Sequence, residues 1–351
     1  MIYGTTASGG ANNDSGAIFR LDINGGPATV AYSFPSNSFP AGPVILDGST
    51  IYGMTFRGGT GGSDTIFKLD STGSGYTSIH TFGGPDGRIP VGALTLVGST
   101  LYGATNQGGT SNFGTIFSVD TDGSNYVAHS FSGPDGSFPV GSLTLGNSML
   151  YGVTSSGVVF RIGLETTSEI EFLYSLSAGS PQGPLVVSGS TIYGMTASGG
   201  TGGSGTIFQL NIDGTGFTVL HNFLGGTDDG SLPSGALTLV GSTLYGTTQS
   251  GGTFDSGTVF SLNPSSGAAD KEFSLLHSFE GGIGDGASPQ GSLVYSNGVL
   301  YGTTSGGGPT FNGTVFSVVA PIPEPAEWGA LLGVGMLALI MLRRRTSLAR
   351  G

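Results

Sequence analysis

The sequence predicts an all-β protein: a β-propeller of about seven four-stranded blades with incomplete terminal blades, followed by a short C-terminal transmembrane helix. Three observations predict it. The pair Tyr-Gly returns at Tyr3, Tyr52, Tyr102, Tyr151, Tyr193, Tyr245 and Tyr301, a period that marks repeated supersecondary units. Glycine supplies 68 of the 351 residues and charged residues only 9%, while the apolar 37% falls in short clusters. That composition suits short strands joined by glycine-rich turns rather than a disordered chain. Near residue 320 the periodicity stops, and an uncharged apolar run followed by three arginines replaces it.

Each unit reads as four strands. In the unit from residue 90, "ALTLV" and "TLYGAT" are separated by Gly98-Ser99, a two-residue hairpin signal. The same corner reads Asp47-Gly48 and Asn297-Gly298 in other copies. "GTIFSVD" is the third strand and "NYVAHSF" the fourth, joined by "DTDGSN", again turn chemistry. One such sheet cannot bury both faces, but seven packed around an axis can. Six and eight blades are the neighbouring counts. The first copy lacks its "LTL" strand and the last its "HSF" strand. No signal peptide is visible, since Met1 runs straight into the first repeat. The expectation is a truncated or misassigned start, with an upstream piece supplying the lost strand and an export signal.

The elements "LYGTT", "GTIF", "LHSF", Asp-Gly and Pro-x-Gly-x-Leu, in fixed order over residues 1–319, resemble the GloVer tandem repeat of bacterial surface proteins. The resemblance implies a propeller-like body with variable C-terminal anchors. It implies no known catalytic residues, and nothing in the sequence gives reason to expect a cofactor.

Formal net charge is −12. Four of the ten basic residues and two of the 22 acidic ones lie beyond residue 320, which leaves the body six basic and twenty acidic side chains. A body that acidic repels phosphate backbones, which argues against nucleic-acid partners. Cysteine is absent, so disulfides, thiolate metal sites and a cysteine nucleophile are excluded.

Two residue sets invite a chemical reading. His80, His129, His221 and His277 all stand two residues before the phenylalanine of the fourth strand, a slot held by Tyr32 and Tyr174 in two other copies. Equivalent positions lie one blade apart, which favours packing over a shared metal. Asp86, Asp135, Asp229 and Asp285 recur in the loops after that strand, in "GGPDGRIP" and its relatives. They suit tight turns and are weak candidates for calcium, because a strong site needs more oxygen side chains than one or two. The glycine loops lead into strands without a lysine, so they are not phosphate cradles. In an antiparallel meander the glycine-rich loops and the Asp-Gly loops emerge on one side. That face is the candidate binding surface, for glycan or protein.

Residues 320–327 read as a linker carrying Pro323-Glu324-Pro325, 328–342 as a transmembrane helix and 343–351 as an arginine-rich cytoplasmic tail. The fifteen apolar residues span ~22 Å as a helix, short of the ~30 Å hydrocarbon core. Arg343, Arg344 and Arg345 hold the cytoplasmic side. Pro-Glu-Pro, an apolar helix and an arginine cluster, in that order, resemble the PEP-CTERM sorting signal. By that resemblance Pro323, Glu324 and Pro325 are recognised by an exosortase-type enzyme, the helix is a transient anchor in the inner membrane, and the arginines are the stop. The expected role is therefore an exported protein, membrane-anchored through its C-terminus and then released to the cell surface or matrix. There it binds or scaffolds, with exopolysaccharide or a surface protein as partner. The rival class is a polysaccharide-active enzyme, hydrolase or lyase, on a propeller scaffold. No catalytic constellation stands out in the sequence to favour it.

Overall fold

The computed structural model describes residues 1–11, 15–23, 26–164, 169–177, 179–264 and 272–321. Among them every regular element is a β-strand, apart from one 3-10 turn at Thr60–Gly62. The strands form seven antiparallel sheets in chain order, the blades of a seven-bladed β-propeller. Blade 3 is a complete example, with strands Arg88–Val97, Thr100–Gln107, Thr115–Asp120 and Val127–Ser130 from the axis outward. Blades 4, 5 and 6 repeat it. In blade 2 the innermost strand is broken into Phe39–Pro40 and Ile45–Asp47, and in blade 7 into Gly286–Pro289 and Val294–Ser296. Among the described residues blade 1 has only Ile2–Thr6, Ala17–Leu21 and Thr29–Ser33, with no innermost strand. Blade 7 has no outermost strand among the described residues.

Every letter of the repeat has a packing reason. The glycine of Tyr-Gly leaves room for the phenylalanine of the third strand, whose ring lies over it. A side-chain carbon on Gly53 would fall 2.6 Å from Phe67 Cζ, and that ring is fully buried. The tyrosine reaches the next blade: Tyr102 donates its hydroxyl to the Leu164 carbonyl at 2.9 Å, and Tyr245 to that of Pro321 at 2.7 Å. Two residues beyond the glycine, a threonine pairs hydroxyl to hydroxyl with the threonine that opens the third strand. Thr55–Thr65, Thr105–Thr115 and Thr248–Thr258 lie 2.7 to 2.8 Å apart in the core. Such pairing removes the penalty of burying a lone hydroxyl. The phenylalanine after His80, His129, His221 and His277 is buried in every case. Phe82 and Phe223 each face the third-strand phenylalanine of the next blade edge to face, with ring centroids 5.4 Å apart.

The innermost strands of blades 2 to 7 meet at one glycine each. Gly92, Gly141, Gly183 and Gly235 occupy bulges with φ near 70°, a conformation that costs glycine nothing. A side-chain carbon on Gly235 would lie 2.7 Å from the Gly291 carbonyl carbon. Beside the glycines, Thr95, Thr144 and Thr238 donate hydroxyls to the Leu143, Leu185 and Leu293 carbonyls of the following blade, at 2.5 to 2.6 Å. The row is interrupted where blade 1 lacks its strand. There Tyr3, Phe19, Gly42, Gly291 and Tyr301 line a cleft of about 360 Å3 between blades 7, 1 and 2.

One corner departs from expectation in detail. The hairpin read as Asp47-Gly48 turns through Gly48-Ser49, because Asp47 is still paired with Thr50. Asn297-Gly298 turns as expected, with φ of 50° and 83°, the left-handed pair of a type I′ turn. No helix among the described residues is long and apolar enough to cross a membrane. The linker motif, the apolar run and the arginine cluster lie outside the described residues.

Candidate functional site

The glycine-rich loops and the Asp-Gly loops share one end of the propeller. They are bonded to each other there: Gly109 donates its N–H to the Gly84 carbonyl at 3.1 Å, Gly252 to Gly226 at 2.8 Å and Gly308 to Gly282 at 2.8 Å. This loop face is the surface that sequence reasoning expected.

The structure joins the two residue sets that the sequence presented separately. Each slot histidine meets the aspartate of its own loop. His80 Nε2 lies 3.0 Å from Asp86 Oδ2, His221 Nε2 3.1 Å from Asp229 Oδ1, and His277 Nε2 3.1 Å from Asp285 Oδ2. In the fourth pair the separation is 3.6 Å, and His129 Nε2 has no hydrogen-bond partner. The aspartates also accept loop N–H groups: Gly83 to Asp86, Ser132 to Asp135, Leu224 to Asp229 and Glu280 to Asp285. Each carboxylate therefore pins the exit of the outermost strand to the loop that follows.

The histidine rings do a second job. His80 stacks flat on Tyr126 with centroids 3.8 Å apart, and His221 on Phe273 at 3.9 Å. Tyr32 and Tyr174 use the slot identically, stacked on Tyr76 and Phe217. The partner ring always belongs to the next blade, which explains why the slot accepts any flat ring with a polar edge. Among the described residues blade 7 offers no outermost strand for His277 to meet, and its side chain is the most exposed of the four, at 37%.

Burial pushes the His80 imidazole below its ordinary value, against the opposing pull of Asp86. Burial alone would raise the Asp135 and Asp285 carboxyls. The donors around them outweigh it together, the Ser132 N–H and hydroxyl with His129 for Asp135, and the Glu280 and Gly286 N–H groups with His277 for Asp285, and hold both below the usual carboxylate range. The weak calcium candidates Asp86, Asp135, Asp229 and Asp285 thus stand one per blade with oxygens already engaged. Among the described residues no group of three or more His, Asp or Glu side chains converges as a metal site. Sequence reasoning missed the clamp, although its signal was present. Histidine and aspartate occur together six or eight residues apart in four copies, and the two tyrosine copies, with "PSNSFP" and "SAGSP", have neither.

The profile of the Gloeobacter/Verrucomicrobia repeat matches residues 1–179 and again 155–321. No curated protein matches the chain. Among solved structures the chain is similar to BamB from Moraxella catarrhalis, at 18% identity and a TM-score of 0.53, over 90% of this chain and 81% of that one. It is also similar to a candidate 6-phosphogluconolactonase from Bacteroides uniformis, at 15% identity and a TM-score of 0.56, over 91% and 96% of the two chains. The computationally designed Ika8 protein is similar at 14% identity and a TM-score of 0.52, over 86% and 81%. Likeness at these identities speaks to the fold.

Proposed function

The chain belongs to the Gloeobacter/Verrucomicrobia repeat family, and from that premise we propose that it is an exported binding or structural propeller of the cell surface or extracellular matrix. One observation carries this reading. The strands repeat nearly the same residues seven times, while the loops gathered on one end differ from copy to copy in length and side chains. A rigid ring with a varied face is built to present contacts. Its ligand in this reading is an exopolysaccharide or a surface protein.

The route to the surface rests on the tail sequence. Pro323-Glu324-Pro325 is the proposed exosortase recognition motif, residues 328–342 the transient anchor in the inner membrane, and Arg343 to Arg345 the stop. In a host with an exosortase and a working export signal, the mature protein should leave the membrane fraction without Trp328, and Glu324→Ala should leave it there uncut. A released form that retains Trp328 would refute the sorting reading.

The full chain on a glycan array, run beside a reducing-sugar assay, tests the body. Retained ligand without turnover supports a binding role. Release of reducing ends would move the protein to the polysaccharide-active class.

A further inference from the structure

We propose that the cleft between blades 2 and 3 on the loop face is a binding site for a carboxylate-bearing sugar, a hexuronate residue of an acidic polysaccharide. The inference rests on the reading of this face as a binding surface and names its ligand class at one place.

The repeat supplies its own control. The same loop position carries Arg57 in blade 2 and Ser8, Gln107, Ser156, Ser198, Ser250 and Gly306 in the others. Arg88, at the entry to blade 3, stands where other entries have Ser38, Ser137, Gly179, Ser231 and Ala287. Asp64 replaces a glycine that all six sibling loops keep, and Phe56 is the one aromatic residue at its position. Four departures from the repeat fall around one cleft of about 270 Å3, lined by all four residues and by Gly62, Gly83 and Gly84. A repeat drifting without constraint would scatter such changes around the ring.

Asp64 shows what holds the cleft in shape. It is buried, and its two oxygens accept the Arg57 N–H at 2.9 Å and the Ile89 N–H at 2.6 Å. In sibling blades the residue equivalent to Ile89 donates to a main-chain carbonyl instead, as Phe138 does to Phe113 and Leu232 to Ser204. The carboxylate therefore braces both walls, and its oxygens are occupied by backbone. Among the described residues no carboxylate pairs with the Arg57 or Arg88 guanidinium. The Arg57 guanidinium lies over the Phe56 ring, 5.0 Å from its centroid, which orients it without neutralising it.

Two exposed, unpaired guanidinium groups are two of only six basic side chains in the first 320 residues. Guanidinium matches carboxylate in a two-pronged geometry. Gly62, Gly83 and Gly84 keep the rim free of side chains, and Phe56 lines the cleft beside them. The volume lies just below the usual range for small-molecule pockets, room for about one sugar residue. The acidic body repels any long polyanion, so the site suits a single hexuronate residue better than an extended run of charges.

Titration of the full chain with tri-galacturonate, a neutral galactose trimer and inorganic sulfate tests the assignment. Binding of the uronate alone is expected. It should weaken about tenfold or more in Arg57→Ser or Arg88→Ser and vanish in the double variant, as loss of a charge-assisted contact predicts. Serine already occupies both positions in sibling blades, so melting should not change. Failure of the wild-type protein to bind uronate, unchanged uronate binding by the double variant, or equal displacement by sulfate at matched ionic strength would each overturn it. If uronate does not bind while the wild-type protein retains other array ligands, the loop-face reading survives and the uronate site falls. If the array is also blank for the wild-type protein, both fall.

Discussion

Substituting Gly53 by alanine tests the central packing rule of every blade. The position is in a strand, and its φ is not in the left-handed region, so backbone conformation alone favours alanine by roughly 0.5–1 kcal/mol. Sterics opposes it. The added carbon would lie 2.6 Å from Phe67 Cζ, 2.9 Å from Cε1 and 3.0 Å from Val44 Cγ1. The ring must retreat by about 0.8 Å to reach ordinary contact at 3.4 Å. It has nowhere to go: Phe67 is fully buried, with Phe34 at 5.5 Å and Tyr76 at 5.3 Å between centroids, and Tyr76 is itself stacked on Tyr32. Overpacking of this kind costs about 1–3 kcal/mol, which exceeds the backbone gain. The net loss of roughly 1–2 kcal/mol should lower Tm by about 1.5–3 °C for a domain of this size, read by far-UV circular dichroism. In a Phe67→Leu background the space is open and Gly53→Ala should become neutral or stabilising, a coupling of about 1 kcal/mol or more. A Gly53→Ala protein that melts at or above wild type, or losses that simply add in the double variant, would refute the reasoning.

Acid should destabilise the body in two steps. The His80 imidazole is lowered in the fold, so the unfolded chain takes up its proton first, and stability falls as pH drops below about 6.5. Asp135 and Asp285 are also lowered, so the stability they add is present above about pH 3.8 and is lost as pH falls through their folded values; flat chemical-denaturation midpoints from pH 7 to pH 3 would contradict both steps. Chelation with EDTA should leave Tm unchanged, because the loop aspartates are engaged by histidine and backbone; a fall of several degrees would instead identify them as calcium ligands. Fusing a copy of residues 126–148 ahead of residue 1 should place an outermost strand on blade 7 and, through the Asn147-Ser148 turn, an innermost strand in blade 1. Tm should rise by at least about 2 °C, and an unchanged Tm would show that the ring does not accept the strands.

The architecture was legible because a repeat multiplies its own signal. One Gly-Ser corner is a weak hairpin mark, but seven copies of the same strand order leave little else to build, and the two incomplete blades could be read from missing letters. What a letter touches was harder to read. Tyr-Gly was visible seven times, yet its reason is a phenylalanine ring on the neighbouring strand, and neighbours across a sheet carry no sequence label. The histidines and the loop aspartates were read as two lists because each had a sufficient local explanation, a packed ring and a tight turn. Only their joint absence beside Tyr32 and Tyr174 marks them as one device, and that pattern belongs to the set of copies rather than to any one of them. The same logic separates scaffold from function. Residues that recur, such as the glycines where innermost strands meet, answer to packing that every blade shares. Residues that break the repeat together, as Phe56, Arg57, Asp64 and Arg88 do, answer to something one cleft alone must meet. Asp64 braces the backbone there, but packing asks nothing of Arg57 and Arg88 that the sibling blades fail to satisfy with serine, so the two guanidinium charges are explained by what comes to them from outside.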